Sequence, residues 1–370
     1  METTYTEEQK LKLDTHGGTH MSTNTLTQNN GHASFAQSML SQDKLESILA
    51  ELVPQEDKNF YIDNNKQQLL EAISALREEG KTPNILLTGE TGTGKTSLAY
   101  NFAAQKGLPL LKMNCPLVRE PRDWMGQKTV VDSTVHWIPS LFAQVIERGH
   151  AVILLDEISR ATPVVLNTLM PLLDHTRSTY VEEIKSTVSV GENLYFFATA
   201  NVGGRYTGTW RLDSALASRF GITIECNFPP HDEEVNLLVN RTNIEQEKAD
   251  KLVSVAGLIR QQESDYGGQL SETLSTRTLL EAASLYTKIG ADAFLYTILP
   301  LFEGDGSEND ERATVIQYLQ SQFGMELNQG NFQEVQEKST DDMTDKEEEK
   351  ASTDPEDGDI EEYIYNFESD

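Results

Sequence analysis

The chain has 370 residues and a formal net charge of -29, room for about two domains plus tails at roughly 150 residues per domain. Acidity on this scale repels phosphate backbones at long range, so nucleic acid is not expected as a partner. Two cysteines, Cys115 and Cys226, offer neither metal spacing nor a disulfide framework and suit a reducing compartment, and no run of 18 apolar residues marks a membrane span.

Residues 1–35 are rich in Thr, Asn, Gln and Gly and lack periodicity, so they bury too little apolar surface to offset ordering and are expected to be disordered. His16 and His20 lie there without further ligands, and the stretch from Met1 to Asn30 has no signal-peptide core, which predicts a cytoplasmic protein. Helical periodicity starts near Phe35, with Leu45, Ile48, Leu49 and Leu52 on one face and then Leu69, Leu70, Ile73 and Leu76 on another.

The short run Ile85–Leu87 is followed by Gly89, by a helical stretch ending near Gly107, and by a second apolar run, Leu110–Met113. Strand, turn, helix and strand in that order make a βαβ unit, which implies a parallel sheet covered by helices. Ala151–Leu155, Leu194–Ala198 and Ile222–Cys226 supply three more buried strands. Two extended stretches, Val130–Pro139 and Thr179–Gly191, read as insertions into this core, and Pro171 should kink or shorten the apolar helix Val164–Leu173.

After Pro229-Pro230 the pattern is helical, with candidates at 232–240, 246–262, 277–288, 291–302 and 310–323. Residues 331–370 carry 16 Asp or Glu against 3 Lys, and this acidic tail is expected to be disordered. Ile360, Tyr363, Ile364, Tyr365 and Phe367 form either a docking peptide or part of a solvating tail. The expected organisation is a disordered segment (1–35), a three-layer P-loop α/β domain with parallel sheet, leading helices and hairpin insertions (36–230), an all-α lid (231–328) and the tail (329–370).

Gly89-Glu90-Thr91-Gly92-Thr93-Gly94-Lys95-Thr96 matches the phosphate-binding loop at every fixed position, which chance produces about once in a hundred chains of this length. Its glycines let backbone N–H groups turn inward around a phosphate, and the following helix, through Ser97, adds the positive end of its dipole. Lys95 would reach the β- and γ-phosphates of ATP, and Thr96 would offer Mg²⁺ a hard oxygen. Asp156 and Glu157 end a buried strand, where α/β sheets bind ligands. Asp156 would hold Mg²⁺ through water, and Glu157 would polarise the water that attacks the γ-phosphate.

Asp156-Glu157-Ile158-Ser159-Arg160-Ala161, then Ala198-Thr199-Ala200-Asn201, then Leu212-Asp213-Ser214-Ala215-Leu216-Ala217-Ser218-Arg219-Phe220 together resemble the MoxR-type branch of the AAA+ ATPases. That branch includes the small ATPase subunit of cobaltochelatase and the activators of Rubisco and nitric oxide reductase. The resemblance spans about Thr82 to Lys288 and implies ATP hydrolysis in a homo-oligomeric ring of six subunits. It assigns Asn201 to sensor 1, Arg219 to a finger entering the neighbouring subunit's site, and Arg277 of Ser275-Thr276-Arg277 to sensor 2.

Arg205 and Arg211 compete with Arg219 for the finger role, and Arg160 matches a family arginine at the subunit interface, with Ser159 in place of the family's Asn. The family also carries hairpins that approach the pore, and it implies a protein client, a von Willebrand factor A domain protein in metal insertion or enzyme activation. A nucleic-acid-directed translocase or restriction-type NTPase is the rival from the motor class, and a nucleotide-gated scaffold is the non-enzymatic one. Trp124, Trp137 and Trp210 have few basic neighbours and read as packing or partner-contact residues rather than a base-stacking platform.

Overall fold

The five apolar runs align as one parallel sheet in the computed structural model, which describes residues 40–324 except 82, 132, 202–212, 265–269 and 305–309. The strands are β1 (Ile85–Gly89), β2 (Leu110–Asn114), β5 (Ala151–Asp156), β8 (Leu194–Asn201) and β9 (Ile222–Glu225), in spatial order β2-β5-β8-β1-β9. Every pairing among them is parallel, so helices must cover both faces.

Alternation along the strands creates those two faces. Ile153, Leu155, Phe196 and Ala198 pack with Leu45 and Leu49 of α1 (Gln42–Glu51) and with Phe142 and Val145 of α5 (Leu141–Arg148). Val152, Leu154, Tyr195 and Phe197 point the other way, onto Leu70 and Ile73 of α2 (Asn64–Glu78) and Leu98 and Phe102 of α3 (Lys95–Lys106). The result is the expected three-layer P-loop fold. Cys115 and Cys226 are both buried and free.

Three short helices punctuate this core: α4 (Arg122–Met125), α6 (Pro163–Asn167) and α7 (Met170–Leu173). The predicted helix over 164–173 is broken between the last two, because Pro171 supplies no N–H to the ladder there. Both insertions are antiparallel hairpins, β3 (Gly126–Val131) with β4 (Thr134–Pro139), and β6 (Ser178–Val181) with β7 (Ser186–Ser189). The first starts four residues before the apolar pattern announced it. Trp124 and Trp137 are buried, as packing residues should be, whereas Trp210 lies outside the described residues.

A short helix, α8 (Ser214–Ala217), leads into β9. Beyond Pro230 come α9 (His231–Thr242), α10 (Gln246–Ser264), α11 (Thr276–Ile289), α12 (Ala293–Thr297) and α13 (Glu311–Phe323), which share a core of their own around Leu252, Leu279, Phe294 and Leu319. The predicted helix over 291–302 divides into α12 and a 3₁₀ turn, Leu299–Leu301, with Pro300 at the break. No helix among the described residues is long and apolar enough to cross a membrane. The acidic tail, His16 and His20 lie outside the described residues.

Candidate active site

The C-terminal edge of the sheet gathers the chemistry. Parallel register sets Gly89 beside Asn201, and Asn114 beside Asp156, so strands distant in sequence end at one place. β1 enters the phosphate-binding loop through Gly89 at φ 141°, and a Cβ there would lie 2.1 Å from the Cys226 carbonyl oxygen. Only glycine fits. Gly92 (φ 79°) and Gly94 (φ 87°) hold left-handed conformations that cost an L-residue about 1–2 kcal/mol.

Lys95 opens α3 and is buried; its Nζ donates to the carbonyls of Gly89 (3.0 Å) and Glu90 (2.6 Å). Burial pushes its pKa down, against the pull of the carboxylates around it. The lysine is thus folded back along the loop, with its charge at the loop's own carbonyls.

Asp156 has an engaged carboxylate. Its Oδ1 accepts from Thr96 Oγ1 (3.1 Å) and Thr199 Oγ1 (2.6 Å), and Oδ2 pairs with Lys112 Nζ at 2.6 Å. Burial alone would raise its pKa; the bonds from Lys112, Thr199 and Thr96 outweigh that and hold it below the ordinary value. Thr199 also accepts the Glu157 backbone N–H at 2.8 Å, fixing the turn that follows Asp156. Glu157 sits at φ 54°, a left-handed conformation rare for a non-glycine residue and found at functional sites. Arg160 Nε lies 3.8 Å from its Oε2.

Lys95, Thr96, Lys112, Asp156, Glu157 and Thr199 line a cleft of about 790 Å³ that also takes in Asn201 and Arg277. Its apolar part comes from Phe60, Tyr61 and Ile62 before α2, from Phe228, Pro229 and Pro230 after β9, and from Leu237 and Leu280 of the helical region. Arg241 of α9 forms an ion pair with Asp57 in the loop before α2, tying the two sides. A Cβ added to Gly92 would lie 2.3 Å from Ser275 Cβ, so the residue capping the Arg277 helix rests on the apex of the phosphate-binding loop.

Glu90, Thr91, Thr93 and Ser97 complete the loop; all but Glu90 line the cleft with Gly92, Gly94 and Lys95. Arg219 does not enter this cleft. Its Nε donates to the Met170 carbonyl (3.1 Å) and its Nη1 to that of Ala215 (2.6 Å). Arg205 and Arg211 lie outside the described residues.

Sequence reasoning missed Lys112, Thr199 and the Phe60–Ile62 segment. A single lysine in the otherwise apolar Leu110–Met113 run was the available signal for the first. The aromatic pair before α2 carried none, since only the tertiary fold brings it to the cleft.

No group of three His, Cys, Asp or Glu among the described residues is arranged to hold a metal alone. Thr96 and Asp156 offer instead two adjacent hard oxygens beside the phosphate-binding loop. That set fits Mg²⁺, which takes one or two protein oxygens and completes its shell with phosphate and water.

A parallel sheet with a glycine-rich loop after β1, an acidic pair after β5, a polar residue ending β8 and a helical cover defines the AAA+ class of P-loop ATPases. The model for the AAA domain of the dynein-related subfamily matches residues 84–220, and that for the CbbQ/NirQ/NorQ C-terminal region matches residues 234–298. The chain is 32% identical over 209 residues to the putative chaperone BssE of Thauera aromatica, covering 56% of this chain and 72% of that protein. It is 28% identical over 202 residues to protein NorQ of Paracoccus denitrificans (54% and 72% covered). With aerobic cobaltochelatase subunit CobS of Sinorhizobium it shares 25% over 257 residues (66% and 76% covered). Among solved structures, the Holliday junction branch migration motor RuvB of Thermotoga maritima is similar at 19% identity, with 74% of this chain and 85% of that chain covered and a TM-score of 0.43. The chain belongs to the MoxR-type AAA+ ATPase family, and it is an ATPase.

Proposed function

We propose that this ATPase hydrolyses Mg²⁺·ATP in a homo-oligomeric ring, hexameric in number, and uses the cycle to remodel or activate a client protein in the cytoplasm. The observation that carries the hydrolytic reading is the convergence of Lys95, Thr96, Asp156 and Glu157 on one cleft edge. In this reading the backbone from Gly89 to Gly94 cradles the phosphates, and Lys95 leaves its loop carbonyls for the β- and γ-phosphate oxygens. Thr96 and Asp156 hold the metal. When bound, Mg²⁺ neutralises charge on the phosphates during transfer.

Glu157 accepts a proton from the attacking water and orients it in line with the scissile bond; Asn201 aligns that water from the end of β8. Arg277 reads the γ-phosphate from the helical side. The apolar wall of Phe60–Ile62, Leu237 and Leu280 takes the base. Arg219 acts on the neighbour's nucleotide, a role supported by its position outside its own chain's cleft.

For the client, the names chaperone and cobaltochelatase subunit borne by relatives support an activator, and the family resemblance points to a von Willebrand factor A domain protein. A Glu157→Gln trap, loaded with ATP and recovered with its bound proteins for mass spectrometry, tests this. Recovery of such a domain supports the proposal, and recovery of nucleic-acid enzymes alone overturns it.

A further inference from the structure

Glu234, in the first turn of α9, is fully buried, an expensive place for a carboxylate unless it is paired. Both of its oxygens are engaged by Arg260 of α10, Nη1 to Oε2 at 2.7 Å and Nη2 to Oε1 at 2.9 Å. Oε1 also accepts from Thr276 Oγ1 at 2.6 Å. Arg260 Nε donates to the Leu274 carbonyl at 2.9 Å. Its guanidinium stands 3.7 Å over the centroid of the Phe228 ring.

Two of the residues this pair contacts border the nucleotide cleft. Phe228 lies in the connection leaving β9, Thr276 is the first residue of α11, and both line the cleft with Arg277. One ion pair therefore joins the connection from the sheet, α9, α10 and the start of α11. A buried ion pair is weak evidence for added stability, because desolvation consumes much of the Coulomb gain. What a bidentate arginine fork supplies, and apolar packing does not, is direction.

We infer that Glu234 and Arg260 are positioning residues for the ATPase reaction. Through Thr276 they set where Arg277 stands against the γ-phosphate, and through Phe228 they lock that setting to the connection from the sheet. The inference rests on the proposed role of Arg277. A network that served only to hold the helices together could sit anywhere in the core around Leu252 and Leu279; this one is placed one residue from the arginine it would aim.

The test uses the full chain carrying Glu157→Gln, so that ATP persists, and measures ATP and ADP affinities by calorimetry with Mg²⁺. Arg277→Ala is expected to lower the preference for ATP over ADP about tenfold, the loss of one hydrogen bond to a charged group. Thr276→Val removes one hydroxyl at nearly constant volume and should lower that preference by a similar factor, with little further loss in the Thr276→Val/Arg277→Ala double variant. Arg260→Lys, which keeps the charge but loses the fork, should behave like Thr276→Val, and the latter carries the test alone if Arg260→Lys does not fold. A wild-type preference in Thr276→Val, alongside a reduced one in Arg277→Ala, overturns the positioning inference and leaves the role of Arg277 standing. An unchanged preference in Arg277→Ala overturns that role and the inference with it.

Discussion

Lys112 of β2 and Asp156 of β5 are joined across adjacent strands, ammonium to Oδ2 at 2.6 Å, on the carboxylate whose other oxygen accepts from Thr96 and Thr199. The lysine therefore offsets charge at the position proposed for Mg²⁺. Replacing Lys112 with Met removes a positive charge within a few ångströms of the metal, and at intermediate dielectric that is worth on the order of tenfold in cation affinity. Titrating Mg²⁺ against ATPase rate should show half-maximal activity at about one-tenth of the wild-type concentration. A raised requirement instead would mean that Lys112 serves to orient the carboxylate.

Lys95 and Glu157 separate binding from turnover. Lys95→Ala should abolish ATP affinity in a fluorescent-nucleotide titration. Glu157→Gln should retain affinity and lose turnover by about 10²–10⁴-fold, the usual worth of a general base. Residual hydrolysis near wild type in Glu157→Gln would exclude Glu157 as the group that activates water.

Arg219 lies outside its own cleft, bonded to the carbonyls of Met170 and Ala215. Arg219→Ala should leave ATP binding intact and slow turnover by about 10³–10⁵-fold, as loss of an arginine finger does. Mixing this variant with Lys95→Ala should restore sites that take ATP from one chain and Arg219 from the other. Normal hydrolysis by Arg219→Ala would assign the role to Arg205 or Arg211.

Gly92 tolerates no side chain, for two reasons: its left-handed φ of 79°, and the 2.3 Å separation a new Cβ would have from Ser275. Gly92→Ala should weaken ATP at least about tenfold, since the backbone term alone is about 1–2 kcal/mol and the Arg277 helix must also draw back. Its melting temperature should fall as well, because the strained φ and the approach to Ser275 are already present in the folded chain without nucleotide. Tight binding by Gly92→Ala would show that the helical region does not bear on the loop when nucleotide is present.

Glu147 of α5 is half-buried, and burial pushes its carboxyl above the ordinary value. A carboxyl raised in the folded state contributes fully below its unfolded value, and that contribution is lost as pH rises through the folded value. Glu147→Gln should therefore raise the melting temperature near neutral pH, with the gain shrinking as pH falls below the carboxylate range. A gain that is constant with pH would attribute the effect to packing.

The fold class and the phosphate-binding loop were legible in the residues. Apolar runs such as Ala151–Leu155 announce strands because a parallel strand is buried on both faces, and the loop from Gly89 to Thr96 is local, so its pattern is written within eight neighbouring positions. The acidic pair after β5 is local in the same sense. Helix ends were less exact where proline intervened, as at Pro171 and Pro300, since one missing N–H divides a helix that apolar periodicity alone would continue.

What depended on tertiary structure was every relationship between distant segments. The Lys112–Asp156 pair exists because β2 and β5 are neighbours in register, Thr199 reaches Glu157 because β8 adjoins β5, and Phe60 meets the loop at Gly94. Hydrophobic periodicity tells each residue which side to bury but not which strand lies beside it. The order β2-β5-β8-β1-β9, set by packing of the whole sheet, brought these groups together.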